Sequence, residues 1–321
     1  MIFAELPLDE AEGAVLAYAV DTGAINLRKG TMLTGEHIAL LRRAGCDHVL
    51  AARFECGDIG EDEAAHKIGA ALASATIATG NATAGRINLF AQADGMFCAN
   101  KASVDALNAH DPRISLATLH SHRRVEKGEM VATIKIIPFA IPGSSVDAVC
   151  SLLRQAPAFN VEAFRPMRVG LVQSRLPSTR DSVLDKTSDA MKKRVARNGG
   201  QLVQEQRVTH DTQALATAIS AVAEDCDILV MFSASAVADA ADIVPRSILL
   251  ADGKILRIGV PIDPGNLLVL GQRGGKYIIA APGSARSVRD NSLDPVLDRL
   301  MAGIDLDSED LARMGVGGLL L

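Results

Sequence analysis

From residue 166 onward the chain alternates apolar strands with helix-length amphipathic segments, and this alternation constrains the fold more than any other feature. The pattern predicts a strand at 168–173, a helix at 182–198, a strand at 201–208, a helix at 212–224 and a strand at 227–232. Gly199-Gly200 closes the first helix where a C-cap is required, and a helix at 291–301 would complete the set. Strands alternating with helices of this length imply a parallel sheet with right-handed crossovers. Arg165-Pro166 is the expected boundary before it.

Three segments at predicted strand ends carry the candidate site. Residues 228–242 read ILVMFSASAVADAAD: a buried strand (Ile228–Met231), then the small residues Ser233, Ala234, Ser235 and Ala236, then a helix expected to carry Asp239 and Asp242. Residues 260–270 (VPIDPGNLLVL) and 277–287 (YIIAAPGSARS) read as apolar strands broken by the turns Pro264-Gly265 and Pro282-Gly283. Ligands of parallel α/β sheets sit at the carboxyl ends of strands. Small residues there admit a phosphate-bearing ligand close to backbone N–H groups.

In this order, with IVPRSI following Asp242, the segments resemble the molybdopterin-binding domain of molybdenum cofactor biosynthesis proteins. That family includes the molybdopterin adenylyltransferases, the molybdenum-inserting transferases and gephyrin. The likeness covers residues 167–303 and implies a three-layer parallel-sheet α/β domain preceded by α+β accessory segments. It also implies molybdopterin as ligand or substrate, Mg²⁺ and ATP as further ligands, and either adenylylation of molybdopterin or insertion of molybdate. Asp242 falls where the family carries its motif aspartate, and that match makes it the candidate metal ligand and catalytic carboxylate. Hard oxygen donors suit Mg²⁺, yet Asp is also among the commonest helix N-caps. Asp239 shares both readings.

The match departs from the family at several positions. Ser233 and Ser235 stand where a Gly-Gly pair is usual, and Asn266 stands where a lysine is often found, after Asp263, Pro264 and Gly265. Gly283, Ser284 and Arg286 resemble the second Pro-Gly loop, where Gly283 would allow close backbone approach and Ser284 and Arg286 would bind phosphate or pterin edges; a plain turn between strand and helix explains the Pro-Gly pair equally well. Asp185 and Lys186, in the sequence LDKT, align with a polar segment of the molybdenum-inserting branch. Asp185 is a second candidate catalytic residue and Lys186 a phosphate contact, and a solvated helix face explains both equally simply. The loop after the first strand, QSRLPSTRDS, lacks the family's acidic residue. These departures favour a binding or handover module over a transferase. An unrelated α/β protein that binds another phosphorylated ligand is a third reading.

Residues 1–55, with a helix at 35–44 closed by Gly45, resemble accessory segments of the molybdenum-inserting transferases. A linker or helix entry at 57–63, a helix at 64–78 and a hairpin about the 126–128 turn, confined to an edge by Pro138 and Pro142, make 56–165 an α+β middle domain. The 166–305 domain ends in a 306–321 tail whose MGVGGLLL reads as a terminal strand or as the point where a longer chain was cut. Together with the accessory segments it resembles the front half of fusions whose back half is a molybdenum-cofactor nucleotidyltransferase, which implies such a partner. The family's habit implies a homo-oligomer.

Composition narrows the classes. The 321 residues hold no Trp, two Tyr and eight Phe, with a net charge of −5. Stacking platforms and basic patches for nucleic acid are therefore not expected. No apolar run reaches ~18 uncharged residues, and the N-terminus is acidic where a secretory signal needs basic residues, so a cytoplasmic protein is expected. Five scattered Cys read as reduced thiols, and His120 and His122 read as a solvated strand face.

Overall fold

The computed structural model describes residues 1–23 and 25–320. Two compact units are present, Met1–Val161 and Glu162–Leu321.

In the first unit, Ile2–Pro7 pairs antiparallel with His48–Arg53, whose other edge takes Val15–Leu16. The Gly35–Arg43 helix begins at a capping box in which Thr34 and His37 satisfy one another's backbone N–H groups. Leu6, Leu16, Leu33, Leu41 and Ala51 form the apolar cluster beneath. A second cluster holds Ile68, Ile87, Leu89, Phe97, Ile134 and Val149.

Sequence and structure differ in three places in this unit. The helix expected at 64–78 spans Glu61–Leu72. Its first turn is Glu61, Asp62 and Glu63, which the positive helix N-terminus favours, and the β-branched residues beyond it form the Ile77–Thr79 strand. The expected hairpin is absent: Arg123–Val125 pairs with Gly95–Ala99, and Met130–Ile136 lies between Ile114–Thr118 and Arg86–Ala91. Met130–Ile136 is therefore an interior strand, because Pro138 follows it and Pro142 belongs to the separate Ala140–Pro142 strand. His120 precedes a tight turn, and His122 lies in that turn at φ +61°; neither is on a strand.

The second unit is a mixed α/β structure on one six-stranded sheet. Its strand order is Gln201–Thr209, Arg168–Arg175, Ile228–Phe232, Lys276–Ala281, Val269–Arg273, Lys254–Ile258. The first four run parallel to one another, and the last two are antiparallel additions. Ile228–Phe232 is buried along its whole length, as a central strand covered on both faces must be.

The helices follow the expected alternation at Asp181–Ala196, Thr212–Glu224 and Leu293–Met301. Asp211 caps the second, its carboxylate accepting from the Ala214 N–H at 2.9 Å. One face of the sheet packs against Met191, Val195, Leu293, Leu297 and Met301. The other packs against Leu215, Ile219, Val222 and Ile248.

The 260–270 segment is not one strand. Pro261 and Pro264 keep it out of the ladder until Val269, since proline offers no N–H to a neighbouring strand. Of the expected terminal strand, Leu319 makes a single parallel bridge to Asp263, and Leu321 lies outside the described residues.

Candidate functional site

The carboxyl ends of the Ile228–Phe232 and Lys276–Ala281 strands open onto a cavity of about 300 Å³ lined by 233–237, 265–267, 280–284 and Arg286. All three sequence segments therefore meet at one rim. Ser233, Ser235, Gly265, Asn266, Gly283, Ser284 and Arg286 line it.

Arg286 is the only charged residue in this lining. Its Nη2 donates to the Ser233 carbonyl oxygen at 2.9 Å, and its Nη1 donates to Thr187 Oγ1 at 2.9 Å and Gln173 Oε1 at 3.4 Å. The guanidinium stacks over the Phe232 ring, 5.2 Å from its centroid. Every partner is neutral, and Arg286 makes no ion pair among the described residues. Burial pushes its ionisation below the usual arginine value. A desolvated cation held by neutral groups at a cavity wall is suited to an anion.

The Ser233–Val237 turn is tied down by its neighbours. Ala234 N–H donates to Ser174 Oγ at 3.0 Å, and that hydroxyl also bonds His210 Nδ1 at 2.9 Å. Ser174 is wholly buried. One hydroxyl thus links the tips of three adjacent strands. At Gly265, φ is +117° and an added Cβ would lie 2.4 Å from Ser292 Oγ. Ser292 donates to the Gly265 carbonyl at 2.6 Å, so only glycine fits this turn.

The remaining sequence candidates lie off the cavity lining. Asp242 does not sit within a helix; it caps the Ile243–Leu250 helix. Its two oxygens accept from the N–H groups of Ala238 at 3.0 Å and Ile243 at 2.6 Å, which hold the carboxyl below the usual range. Asp239 precedes the helix too and accepts from Ala241 N–H at 2.7 Å. The small residues after Phe232 make a loop instead of the expected helix, because Asp239 and Asp242 satisfy backbone donors locally. Asp185 is exposed on the Asp181–Ala196 helix and pairs with Arg207 at 2.8 Å, with Lys186 exposed beside it. Asp263 exchanges backbone bonds with the tail, accepting from Leu320 N–H and donating to the Gly318 carbonyl.

Sequence reading missed two buried residues behind the cavity wall. Gln173 is the polar residue in an otherwise apolar run, VGLVQ, at the carboxyl end of its strand. Arg194 continues the apolar stripe of its helix, at i+3 from Met191 and i+7 from Thr187. A polar residue on such a stripe is the signal that would have found it.

One family model matches, a domain of unknown function (DUF8806), over residues 5–53. No curated protein matches. Among solved structures, the molybdopterin biosynthesis MoeA protein of Pyrococcus horikosii aligns over 94% of this chain and 75% of its own, at 13% identity and TM-score 0.32. The MoaB molybdopterin biosynthesis enzyme of Thermus thermophilus aligns over 43% of this chain and 97% of its own, at 18% identity and TM-score 0.30. CinA of Thermoplasma acidophilum, a protein of unknown function, aligns over 45% of this chain and 99% of its own, at 12% identity and TM-score 0.34. At TM-scores this low no residue role transfers from them. No helix among the described residues is long and apolar enough to cross a membrane.

Proposed function

We propose that this chain binds molybdopterin in molybdenum cofactor biosynthesis, as a binding or handover module, through the rim formed by 233–237, 265–267 and 280–286. The observation that carries this reading is Arg286, a desolvated cation with only neutral partners, in a cavity whose lining holds no Asp or Glu. A phosphate would take the guanidinium, with the Ser233, Ser235 and Ser284 hydroxyls nearby as further donors. The pterin would lie across the small and apolar residues Ala281, Pro282 and Leu267.

The residues present do not fit Mg²⁺ at this rim. Both oxygens of Asp242 accept backbone N–H groups, Asp239 Oδ1 accepts from Ala241 N–H, and no group of three or more metal-ligating side chains occurs among the described residues. No transfer step is therefore routed through a metal, and handover to a nucleotidyltransferase partner is the role we propose.

Calorimetric titration of purified molybdopterin into the full chain, first in EDTA and then with Mg²⁺ and ATP, tests the proposal. Saturable binding in EDTA, unchanged by Mg²⁺, is the expected result, and absence of binding refutes it. Pyrophosphate release from ATP that is lost on Asp242→Ala would replace the binding module with an adenylyltransferase.

A further inference from the structure

Behind Arg286 lies a charged cluster from which it is separated by one neutral side chain. Glu205 is held by Arg207 Nε at 2.6 Å and by Ser188 Oγ at 2.6 Å, and Arg207 also pairs with Asp185 at 2.8 Å. Between this cluster and Arg286 sits Gln173, fully buried. Its Nε2 donates towards Leu184 O at 2.9 Å, Ser188 Oγ at 3.0 Å and Glu205 Oε1 at 3.0 Å, while its Oε1 accepts from Arg286. Three acceptors on one side and a cation on the other fix the orientation of the amide.

We propose that Gln173 is a positioning residue that sets the specificity of the rim for anions, acting as a neutral spacer that leaves the charge of Arg286 uncompensated. The inference rests on the rim being an anion site. An amide spans the gap by accepting from the cation and donating to the carboxylate. A carboxylate of the same shape would pair with Arg286 directly and cancel the charge the ligand needs. The electrostatics of Glu205 fit this division. Burial would push its carboxyl up, but hydrogen bonds from Ser188, Arg207 and Gln173 outweigh that and hold it below the usual range. It is thus ionised and satisfied without Arg286.

The test exchanges the two groups. The double variant Gln173→Glu with Glu205→Gln preserves volume and net charge while moving one carboxylate next to Arg286. The probe is inorganic sulfate, which stays doubly charged between pH 5 and 8, followed through backbone amide shifts of the full chain. Sulfate affinity is expected to fall roughly tenfold or more in the exchanged variant. The single variant Gln173→Glu is expected to regain affinity as pH falls and the introduced carboxyl takes up a proton, a response that a merely structural role for Gln173 would not produce. Unchanged affinity in the exchanged variant, with the wild type binding, overturns the inference alone. A wild type that takes up no sulfate overturns the anion site and the inference together. Should the exchange unfold the chain, Glu205→Gln alone decides: retained sulfate binding supports the spacer, and its loss counts against it.

Discussion

The Nη1 of Arg194 donates to the carbonyl oxygen of Ala285 at 2.8 Å, so a buried helix residue holds the backbone one step from Arg286. Nη2 of the same guanidinium reaches the carbonyls of Ser287 at 2.6 Å and Arg289 at 3.0 Å, and Nε pairs with Asp294 at 2.9 Å. Arg194→Met removes the donors of three carbonyls and one partner of a buried carboxylate, which keeps Arg197 at 3.0 Å. The expected loss is about 3 kcal/mol, measured by urea denaturation. Arg194→Lys is expected to recover only part of it, since an ammonium lacks the planar fork.

The two Pro-Gly turns should respond oppositely to the same change. Gly265→Ala places a methyl against Ser292 at a backbone angle that side chains avoid. It is expected to cost about 2 kcal/mol or more. Around Gly283 an added Cβ meets nothing within 4 Å. Gly283→Ala should leave stability within about 0.5 kcal/mol but weaken molybdopterin binding, because the methyl is added to the cavity lining. Thermal melts with a parallel titration separate the two outcomes.

Acid should act through Asp242. Its carboxyl ordinarily titrates near 3.8 and is held lower in the folded chain by the Ala238 and Ile243 N–H groups. Its stabilisation is therefore fully present above about pH 4 and lost as pH falls through the lower folded value. Asn offers one acceptor oxygen to these two N–H groups, so Asp242→Asn is expected to cost about 1 kcal/mol at pH 7. The gap between variant and wild type should close as pH falls through that lower folded value, as read from denaturation curves at each pH.

In the first unit, Asp111 is the corresponding anchor. Arg113 grips it at 2.9 and 2.7 Å and Ser145 donates to it at 2.5 Å; the Arg113 bonds dominate in holding its carboxyl far below the usual range. Asp111→Ala is expected to destabilise this unit by about 2 kcal/mol, seen as earlier proteolysis of 1–161. The wild-type pair should survive to more acidic pH than an ordinary carboxylate would allow.

The α/β alternation was legible because each element carried its own signal: Asp211 before Thr212–Glu224, Gly199 after Asp181–Ala196, and an unbroken apolar run at Ile228–Phe232. The antiparallel edge was not, since the apolar sequence at 260–270 reads as a strand until the two prolines withhold their N–H groups. At the site, the meeting of Ser233, Gly265 and Gly283 followed from strand ends being brought to one rim. Asp242 showed the limit: one residue type serves cap and cation alike, and only the positions of the Ala238 and Ile243 N–H groups reveal where its oxygens point. Gln173 and Arg194 escaped notice because a polar residue on an apolar stripe declares burial but not its partner.

The most direct measurement is the map of backbone amide shifts on adding molybdopterin in EDTA, for the wild type and Arg286→Met. Saturable shifts concentrated at 233–237, 265–267 and 280–286, with affinity falling roughly tenfold or more in the variant, are the predicted result. Shifts centred elsewhere, or equal affinity in Arg286→Met, would contradict it.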